Sequence, residues 1–355
     1  MTRDLPLLAL APAASLILSL LATRWLAASA ARLGVMDLPN ERSLHQVPVP
    51  RTGGLAVLLG LALPLMALAL GGAAGAELAW LGAALALVAL PSFVDDLGHV
   101  PPWLRLLAHV AAALLLLSGG LRWSTLDLPG LSVELPATLS IGLTLLFVVW
   151  MINLYNFMDG MDGLAGGMAV FGFGALALLG WSGGEPLFAL VASCVAAAAA
   201  GFLGVNFPPA RIFLGDTGSS SLGLLAAGLA LWGVQRGLFP LWSAWLAFSP
   251  FIVDATWTLA TRIARRERVW EAHRSHHYQR LVLAGWSHRH TLLRAWALMA
   301  AAAACAVASP GLTASEQWLL IAGWAVIYWL VHLKVDLIAR LTALDADTGG
   351  ATDRP

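Results

Sequence analysis

The stretch Asn153–Gly167, NLYNFMDGMDGLAGG, separates two long apolar segments and places polar groups at every third residue: Asn153, Asn156, Asp159 and Asp162. The chain around it has 355 residues, 59% of them hydrophobic and 11% charged, with a single lysine, Lys334. That composition belongs to integral membrane proteins rather than to a soluble core. The apolar residues fall in continuous runs of about 17–23, enough to cross a hydrocarbon layer of roughly 30 Å as helix. Continuous rather than alternating runs argue against a strand barrel. The expected fold is an all-α integral membrane protein of about eleven transmembrane helices. They form one polytopic domain over residues 1–340, followed by a disordered tail over 341–355.

The crossings are expected near 5–26, 55–70, 78–94, 104–120, 137–153, 165–181, 186–204, 219–235, 239–262, 291–309 and 315–334. The N-terminal apolar run is too long for a signal peptide and reads as the first crossing. Residues Leu121–Pro136 form a polar excursion that reads as a hairpin. Cys194 and Cys305 lie in apolar runs and read as small buried hydrophobes rather than as a disulfide or metal site.

Arginine sets the orientation. An odd number of crossings puts the termini on opposite sides. With the N-terminus outside, only Arg3, Arg122 and Arg236 of the twenty basic residues fall outside. The expected topology is therefore N-out and C-in. It places five polar segments in the cytoplasm: 42–54, 94–102, 153–167, 206–221 and 265–280. The formal net charge is zero, so no basic patch points to nucleic acid.

Asp95 and Asp96 close a helix. Two adjacent carboxylates belong at the water boundary, either as solvated helix-end charges or as a site for a divalent cation shared with phosphate. The four polar residues of the opening stretch wrap around a helix end, and its glycines permit close backbone approach to a ligand. Helix capping by Asn and Asp accounts for one or two of them, not four. In FLGDTGS, Asp216 sits in a Gly/Ser turn before the next crossing, either as a cap or beside amides that cradle phosphate. A positive-inside loop explains the arginines of 265–280, but not His273, His276 and His277 within five residues. Zinc lacks a completing cysteine or carboxylate there, and phosphate suits the surrounding charge better. Asp254 lies inside the ninth crossing, where a carboxylate is either functional or the structural partner of a neighbouring helix.

Carboxylates for Mg²⁺, a basic loop and an aromatic beside a glycine turn suit transfer of a phosphoryl-linked group between a nucleotide and a lipid. At these residues the chain resembles the polyprenyl-phosphate N-acetylhexosamine-1-phosphate transferases, and the resemblance covers about residues 35–335. It rests on NLYNFMDGMDGLAGG, FLGDTGS, VDD at a helix end and HRSHHYQRL. It implies a multi-helix bundle with a cytoplasmic cleft at the inner (plasma) membrane. The implied reaction takes UDP-N-acetylhexosamine and undecaprenyl phosphate to the lipid-diphospho-sugar and UMP, with Mg²⁺ or a substituting Mn²⁺.

By motif position, Asp216 resembles the metal ligand and Phe213 the aromatic stacked on uracil. Asn153, Asn156, Asp159 and Asp162 fall in the nucleotide-sugar motif. Asp95 and Asp96 resemble the catalytic pair that engages the lipid phosphate. His276 and His277, with His273 nearby, resemble the diphosphate-binding histidines, and Arg51 falls in a substrate-contacting loop. His99 stands where the phospho-muramoyl-pentapeptide branch carries a lysine, and PVPRTGG has no lysine. The resemblance therefore favours the O-antigen or common-polysaccharide initiating branches, with UDP-GlcNAc or a 6-deoxy relative as donor. A homodimer is compatible with it.

Two other classes share parts of this pattern. A polytopic transporter accommodates the crossings, the glycine breaks and Asp254, but transporters gather substrate groups near the midplane. Alcohol phosphatidyl transfer needs a downstream DxxxD that this chain lacks after Gly166.

Overall fold

The computed structural model describes residues 5–33, 35–37, 39, 47–73, 75–268 and 273–349. Residues 42–46 of the first polar segment, 269–272 of the last, and 350–355 of the tail lie outside the described residues.

The described chain is a bundle of helices. In order they are α1 (Leu5–Leu33), α2 (Gly53–Leu68), α3 (Ala76–Leu97), α4 (Pro102–Ser118), α5 (Ala137–Phe157), α6 (Leu164–Ser182), α7 (Pro186–Asn206), α8 (Gly215–Gln235), α9 (Leu241–Ala247), α10 (Ser249–Ala264), α11 (His277–Leu283), α12 (His288–Ala308) and α13 (Ala314–Gly349). Two small antiparallel ribbons accompany them. One pairs β1 (Met36–Asp37) with β2 (Val49–Pro50), and the other pairs β3 (Thr125–Leu128) with β4 (Leu131–Glu134). The second ribbon is the hairpin expected in Leu121–Pro136.

Among the described residues, eight helices are long and apolar enough to cross a membrane: α1, α3, α5, α6, α7, α8, α12 and α13. Two apolar helices, α2 and α4, are shorter. The chain is thus an all-α, multi-pass membrane protein. Each expected crossing coincides with helix, with three differences in detail.

The ninth is broken into α9 and α10. Pro250 has no N–H to donate to the carbonyl of Leu246, and the Ser249 hydroxyl takes that carbonyl instead, at 2.7 Å. The eighth starts earlier than expected. Gly215 opens α8, so Asp216 lies in its first turn rather than in a loop before it. The last helix continues through Gly349, past the tail boundary expected at Arg340. Helix-favouring Ala and Leu recur in LTALDAD, which has no Gly or Pro to stop it before Gly349.

Burial sorts the helices. α8 is enclosed nearly along its whole length and packs on α3 and α5, while α6 and α7 pack on each other. The small residues of α8 (GDTGSSSLGLLAAG) let neighbouring backbones approach. By contrast, α13 exposes Leu319, Val326, Trp329, Leu330 and Leu333 along its length, as a lipid-facing helix does. Cys194 is buried and Cys305 half-buried, and both are free thiols. The C-terminal ends of α3 and α5 meet the N-terminal ends of α4 and α8, and this junction holds the candidate site.

Candidate active site

The N-terminus of α8 is built around Asp96. Gly215 has φ +73°, and a Cβ there would collide with the Arg51 carbonyl and the Asp96 carboxylate. The first amides of a helix have no intrahelical acceptor. Here a carboxylate from α3 supplies one. Asp96 Oδ1 accepts the Asp216 N–H at 3.0 Å, while Oδ2 accepts the Thr217 N–H at 2.9 Å and its hydroxyl at 2.5 Å. A buried negative charge also matches the positive end of the helix dipole. Both oxygens of Asp96 are therefore used to cap α8, and the cap sets where Asp216 stands. The expected pair of boundary carboxylates divides into a positioning residue, Asp96, and a site residue, Asp95.

Asp95 receives the Val100 N–H on Oδ1 at 2.7 Å. Its Oδ2 meets Arg105 Nη1 at 2.5 Å, and the same nitrogen lies 2.6 Å from Asp216 Oδ2. One guanidinium thus bridges carboxylates from α3 and α8. On the other side of Asp216, Asn156 Nδ2 donates to Oδ1 at 2.9 Å and to Ser219 Oγ at 3.0 Å.

The Asp159 backbone, just past the end of α5, donates to the Asn156 carbonyl at 3.2 Å, while its carboxylate has no hydrogen bond among the described residues. Loss of hydration, with repulsion from Asp216, Asp96 and Asp37, pushes its carboxyl well above the usual carboxylate range. Arg51 is near enough for its charge to act on Asp96, and its buried Nε has no hydrogen-bond partner among the described residues. Phe213 is half-buried. Its backbone ties the loop before α8 to the Arg51 segment, donating to the Pro50 carbonyl at 2.7 Å and accepting from Gly53 at 2.9 Å.

Two expected site residues face elsewhere. Asn153 donates to the Val149 carbonyl at 2.7 Å and lies 3.4 Å from His109 Nδ1, on the α4 side. Asp162 accepts the Ala210 N–H at 3.0 Å and lies 3.6 Å from His288, so it fastens the loop between α7 and α8. The buried Asn206 does the same from the other direction, accepting from Gly163 N–H and donating to the Ile212 carbonyl, each at 2.8 Å.

The histidines form an adjoining cluster. Asp254, 7% exposed, lies 3.3 Å from His276 Nδ1 and 3.2 Å from His277 Nδ1, and accepts the His277 backbone N–H at 3.0 Å. The His273 ring lies 5.0 Å from that of His276. Burial, with His276 and Arg262 nearby, lowers its pKa to about 4, so it is neutral at pH 7. Tyr278 connects the two clusters. Its ring stacks parallel on His276, and its hydroxyl reaches the Phe157 carbonyl at 3.5 Å, at the end of α5.

Arg105 was not among the residues picked out in the sequence. Its signal was present, because an arginine three residues into an apolar helix needs a partner. What the sequence lacked was any indication that the partners are Asp95 and Asp216. Thr217 and Asn206 were missed for a similar reason, since hydroxyls and amides in apolar runs are common.

No group of three or more His, Cys, Asp or Glu among the described residues is placed to hold a metal by itself. Asp95 and Asp216, however, converge on one cationic nitrogen. That donor set fits Mg²⁺, which usually takes one or two carboxylates and completes its shell with water and substrate phosphate.

Residues 78–234 match the glycosyl transferase family 4 description. The chain is 31% identical over 282 residues to a probable undecaprenyl-phosphate N-acetylglucosaminyl 1-phosphate transferase of Bacillus subtilis (strain 168), covering 79% of this chain and 78% of that protein. It is 32% identical to the decaprenyl-phosphate N-acetylglucosaminephosphotransferase of Mycolicibacterium smegmatis, covering 95% of this chain and 90% of the relative. A phospho-N-acetylmuramoyl-pentapeptide-transferase of Geobacillus kaustophilus is 33% identical, but over only 49% of this chain. Transferase relatives over most of the chain leave the transporter reading without support. With a carboxylate pair gathered at one end of a membrane bundle, the chain belongs to the polyprenyl-phosphate N-acetylglucosamine-1-phosphate transferase family, enzymes of glycosyl transferase family 4.

Proposed function

We propose that this enzyme transfers an N-acetylhexosamine-1-phosphate group from a UDP-sugar to undecaprenyl phosphate at the cytoplasmic face of the inner membrane, as the first step of a cell-surface polysaccharide. In this reaction an oxygen of the lipid phosphate attacks the sugar-bearing phosphorus. The bond from that phosphorus to the bridging oxygen breaks, and UMP leaves with the electron pair. The observation that carries the reading is the convergence of Asp95 and Asp216 on one cation, beside Asn156 and Asp159.

Asp95 and Asp216 are the residues that would hold Mg²⁺. Bound there, the ion would offset charge on the diphosphate during in-line displacement. The chain's own groups do the rest. Asp96 fixes Asp216 through the α8 cap, and Asn156 orients the Asp216 carboxylate. The unpartnered Nε of Arg51 suits a phosphate oxygen. Phe213 offers a ring for the uracil. An acid form of Asp159 keeps a fourth carboxylate from repelling the diphosphate.

The arginine distribution supports a topology with the N-terminus outside, in which this junction would face the cytoplasm, where UDP-sugars are made. The absence of lysine in VDDLGHV and PVPRTGG supports UDP-GlcNAc or a 6-deoxy relative over a muramoyl-pentapeptide donor. The test is exchange of radiolabelled UMP into UDP-sugar by purified protein in Mg²⁺, with Mn²⁺ as a second ion. Exchange that requires added undecaprenyl phosphate supports the proposal. Absence of exchange with every UDP-N-acetylhexosamine tried would overturn it.

A further inference from the structure

A cavity of about 240 Å³ lies between α10, α12 and α13, bordered by α11 and apart from the Asp95–Asp216 junction. Arg51, Asp95, Asn156, Asp159 and Asp216 do not line it. Along α13 it extends from Tyr328 to Ile338, about 15 Å at 1.5 Å per residue. The main packing partner of α13 is α11 rather than α12. On the rim, Arg294 and Lys334 are exposed, and Ala295, Leu298 and Val331 are half-exposed. The cavity therefore opens sideways between α12 and α13, toward the surface that lipid covers.

Its two ends differ in chemistry. The deep end is apolar, lined by Phe251, Met299 and Val331, and the one hydroxyl there, of Tyr328, is spent on Ser249 Oγ at 2.5 Å. The mouth, beside the histidine loop, is polar. Thr291 is 3% exposed, and its Oγ1 has no hydrogen-bond partner among the described residues. Buried hydroxyls are normally bonded. One turn further along α12, the Arg294 guanidinium stacks over the Trp286 ring at 4.3 Å. Neither Arg294 nor Lys334 has an ion pair or hydrogen bond among the described residues.

The charges at the mouth do not cancel. Asp254 is the single carboxylate that lines the cavity. It is already engaged, accepting the His277 backbone N–H at 3.0 Å and 3.1 Å and lying 3.3 Å from His276 Nδ1. Asp336, with Arg280 at 2.6 Å and Arg340 nearby, does not line this cavity. Arg294 and Lys334 thus outnumber Asp254, and the surplus is one positive charge.

We propose that this cavity binds an anionic phospholipid of the surrounding membrane. Arg294 and Lys334 take the head-group phosphate, Thr291 Oγ1 donates to an ester carbonyl, and one acyl chain lies along Phe251, Met299 and Val331. A phosphodiester carries the single negative charge that the mouth lacks. The acceptor lipid of the transfer reaction does not fit this position, because its phosphate must reach the Asp95–Asp216 junction, on the other side of Tyr278 and Met158.

That shared wall gives the lipid a role. Met158 directly precedes Asp159, and the Tyr278 ring stacks on His276 while its hydroxyl reaches the Phe157 carbonyl at 3.5 Å. A chain packed against Met158 and Tyr278 holds the end of α5 and the histidine loop in place. The binding site stands on the cavity alone, and its effect on turnover rests on the transferase reading.

The test is native mass spectrometry of the full-length protein after lipid depletion in detergent. The probes are phosphatidylglycerol, phosphatidylcholine with the same chains, and undecaprenyl phosphate. Phosphatidylglycerol should bind the wild type more tightly than phosphatidylcholine. The double variant Arg294→Gln with Lys334→Gln, at exposed positions that folding tolerates, should weaken phosphatidylglycerol by about 10-fold or more, the scale of two basic groups at an anionic lipid surface. Thr291→Val should weaken it several-fold. Without lipid, Thr291→Val should melt at or above the wild type, because it removes a buried hydroxyl that has no partner. Equal binding of the two phospholipids by the wild type overturns the proposal, as does a double variant that binds phosphatidylglycerol like the wild type. One-for-one displacement of phosphatidylglycerol by undecaprenyl phosphate also overturns it, since the cavity would then hold the acceptor.

UMP exchange reads the role. At saturating undecaprenyl phosphate, phosphatidylglycerol should raise the rate of the lipid-depleted wild type several-fold and leave the double variant unmoved. If no exchange occurs under any condition, the transferase reading fails, and the binding measurements still decide the site.

Discussion

Arg105 bridges Asp95 and Asp216, with one nitrogen 2.5 Å from the first and 2.6 Å from the second. A cation bound by the same carboxylates must displace that guanidinium, which frees it to turn toward a phosphate. Arg105→Gln removes the resident charge and leaves two carboxylates facing each other. In EDTA its melting temperature should fall below that of the wild type, and added Mg²⁺ should recover most of the loss. Half-saturating Mg²⁺ in UMP exchange should also fall several-fold, because no resident cation competes. An unchanged Mg²⁺ requirement would count against a shared site.

Asp96 and Asp216 are joined through one helix end but should fail differently. Asp96→Ala leaves two backbone N–H groups and the Thr217 hydroxyl without their acceptor. A buried donor left unpaired costs about 1–3 kcal/mol, so the variant should melt earlier as well as lose turnover. Asp216→Asn keeps the cap intact. It should melt like the wild type in EDTA while transfer falls by about 10²–10³-fold, the scale of losing one electrostatic contact to a transition state. Thermal melts beside kcat for both variants check this. Equal melting of the two would show that the cap contributes little.

A carboxylate that engages the lipid phosphate, as Asp95 does by motif position, has the chemistry of a general base. Its oxygens are already occupied by the Val100 N–H and the Arg105 guanidinium, so neither is free to take a proton from the lipid. A phosphomonoester completes its ionisation near pH 6, so a variant lacking a true base would recover between about pH 7 and 9. The expected outcome is instead a constant ratio of kcat/KM between wild type and Asp95→Asn over that range. Partial rescue at high pH would restore the general-base role.

Asp159 gives a stability prediction with a definite sign. Its folded-state pKa is raised, chiefly by loss of hydration and then by Asp216. The folded protein therefore binds this proton more tightly than the unfolded chain, whose carboxyl titrates near 3.9. Stability from this group is fully present below the unfolded value and declines as pH rises toward the folded one. Asp159→Asn removes that decline. In EDTA, the melting temperature of the variant relative to wild type should rise steadily from pH 4 upward. A difference that stays flat with pH would show that Asp159 is hydrated and ordinary.

The sequence by itself determined the class of fold and the family. Continuous apolar runs can satisfy their backbone in lipid only as helix, so the helices fall where hydropathy places them. The motifs NLYNFMDGMDGLAGG and FLGDTGS are local, and their residues Asn156 and Asp216 do meet. Local chemistry also left traces that could have been read further, such as Pro250, which breaks the ninth segment. Tertiary structure alone decided the rest, because the deciding contacts join residues far apart in the chain. Asp95 and Asp96 are neighbours with the same side chain, yet one faces Arg105 and the other caps α8, since successive residues of a helix point about 100° apart. Asn153 and Asp162 share the repeat of Asn156 and Asp159, but three residues of helix turn Asn153 away from Asn156 within α5, and the turn after α5 sends Asp162 to the loop before α8. Asp254 comes from α10 and His276 and His277 from the start of α11, and no spacing in the sequence predicts that packing would bring both imidazoles within 3.3 Å of that carboxylate.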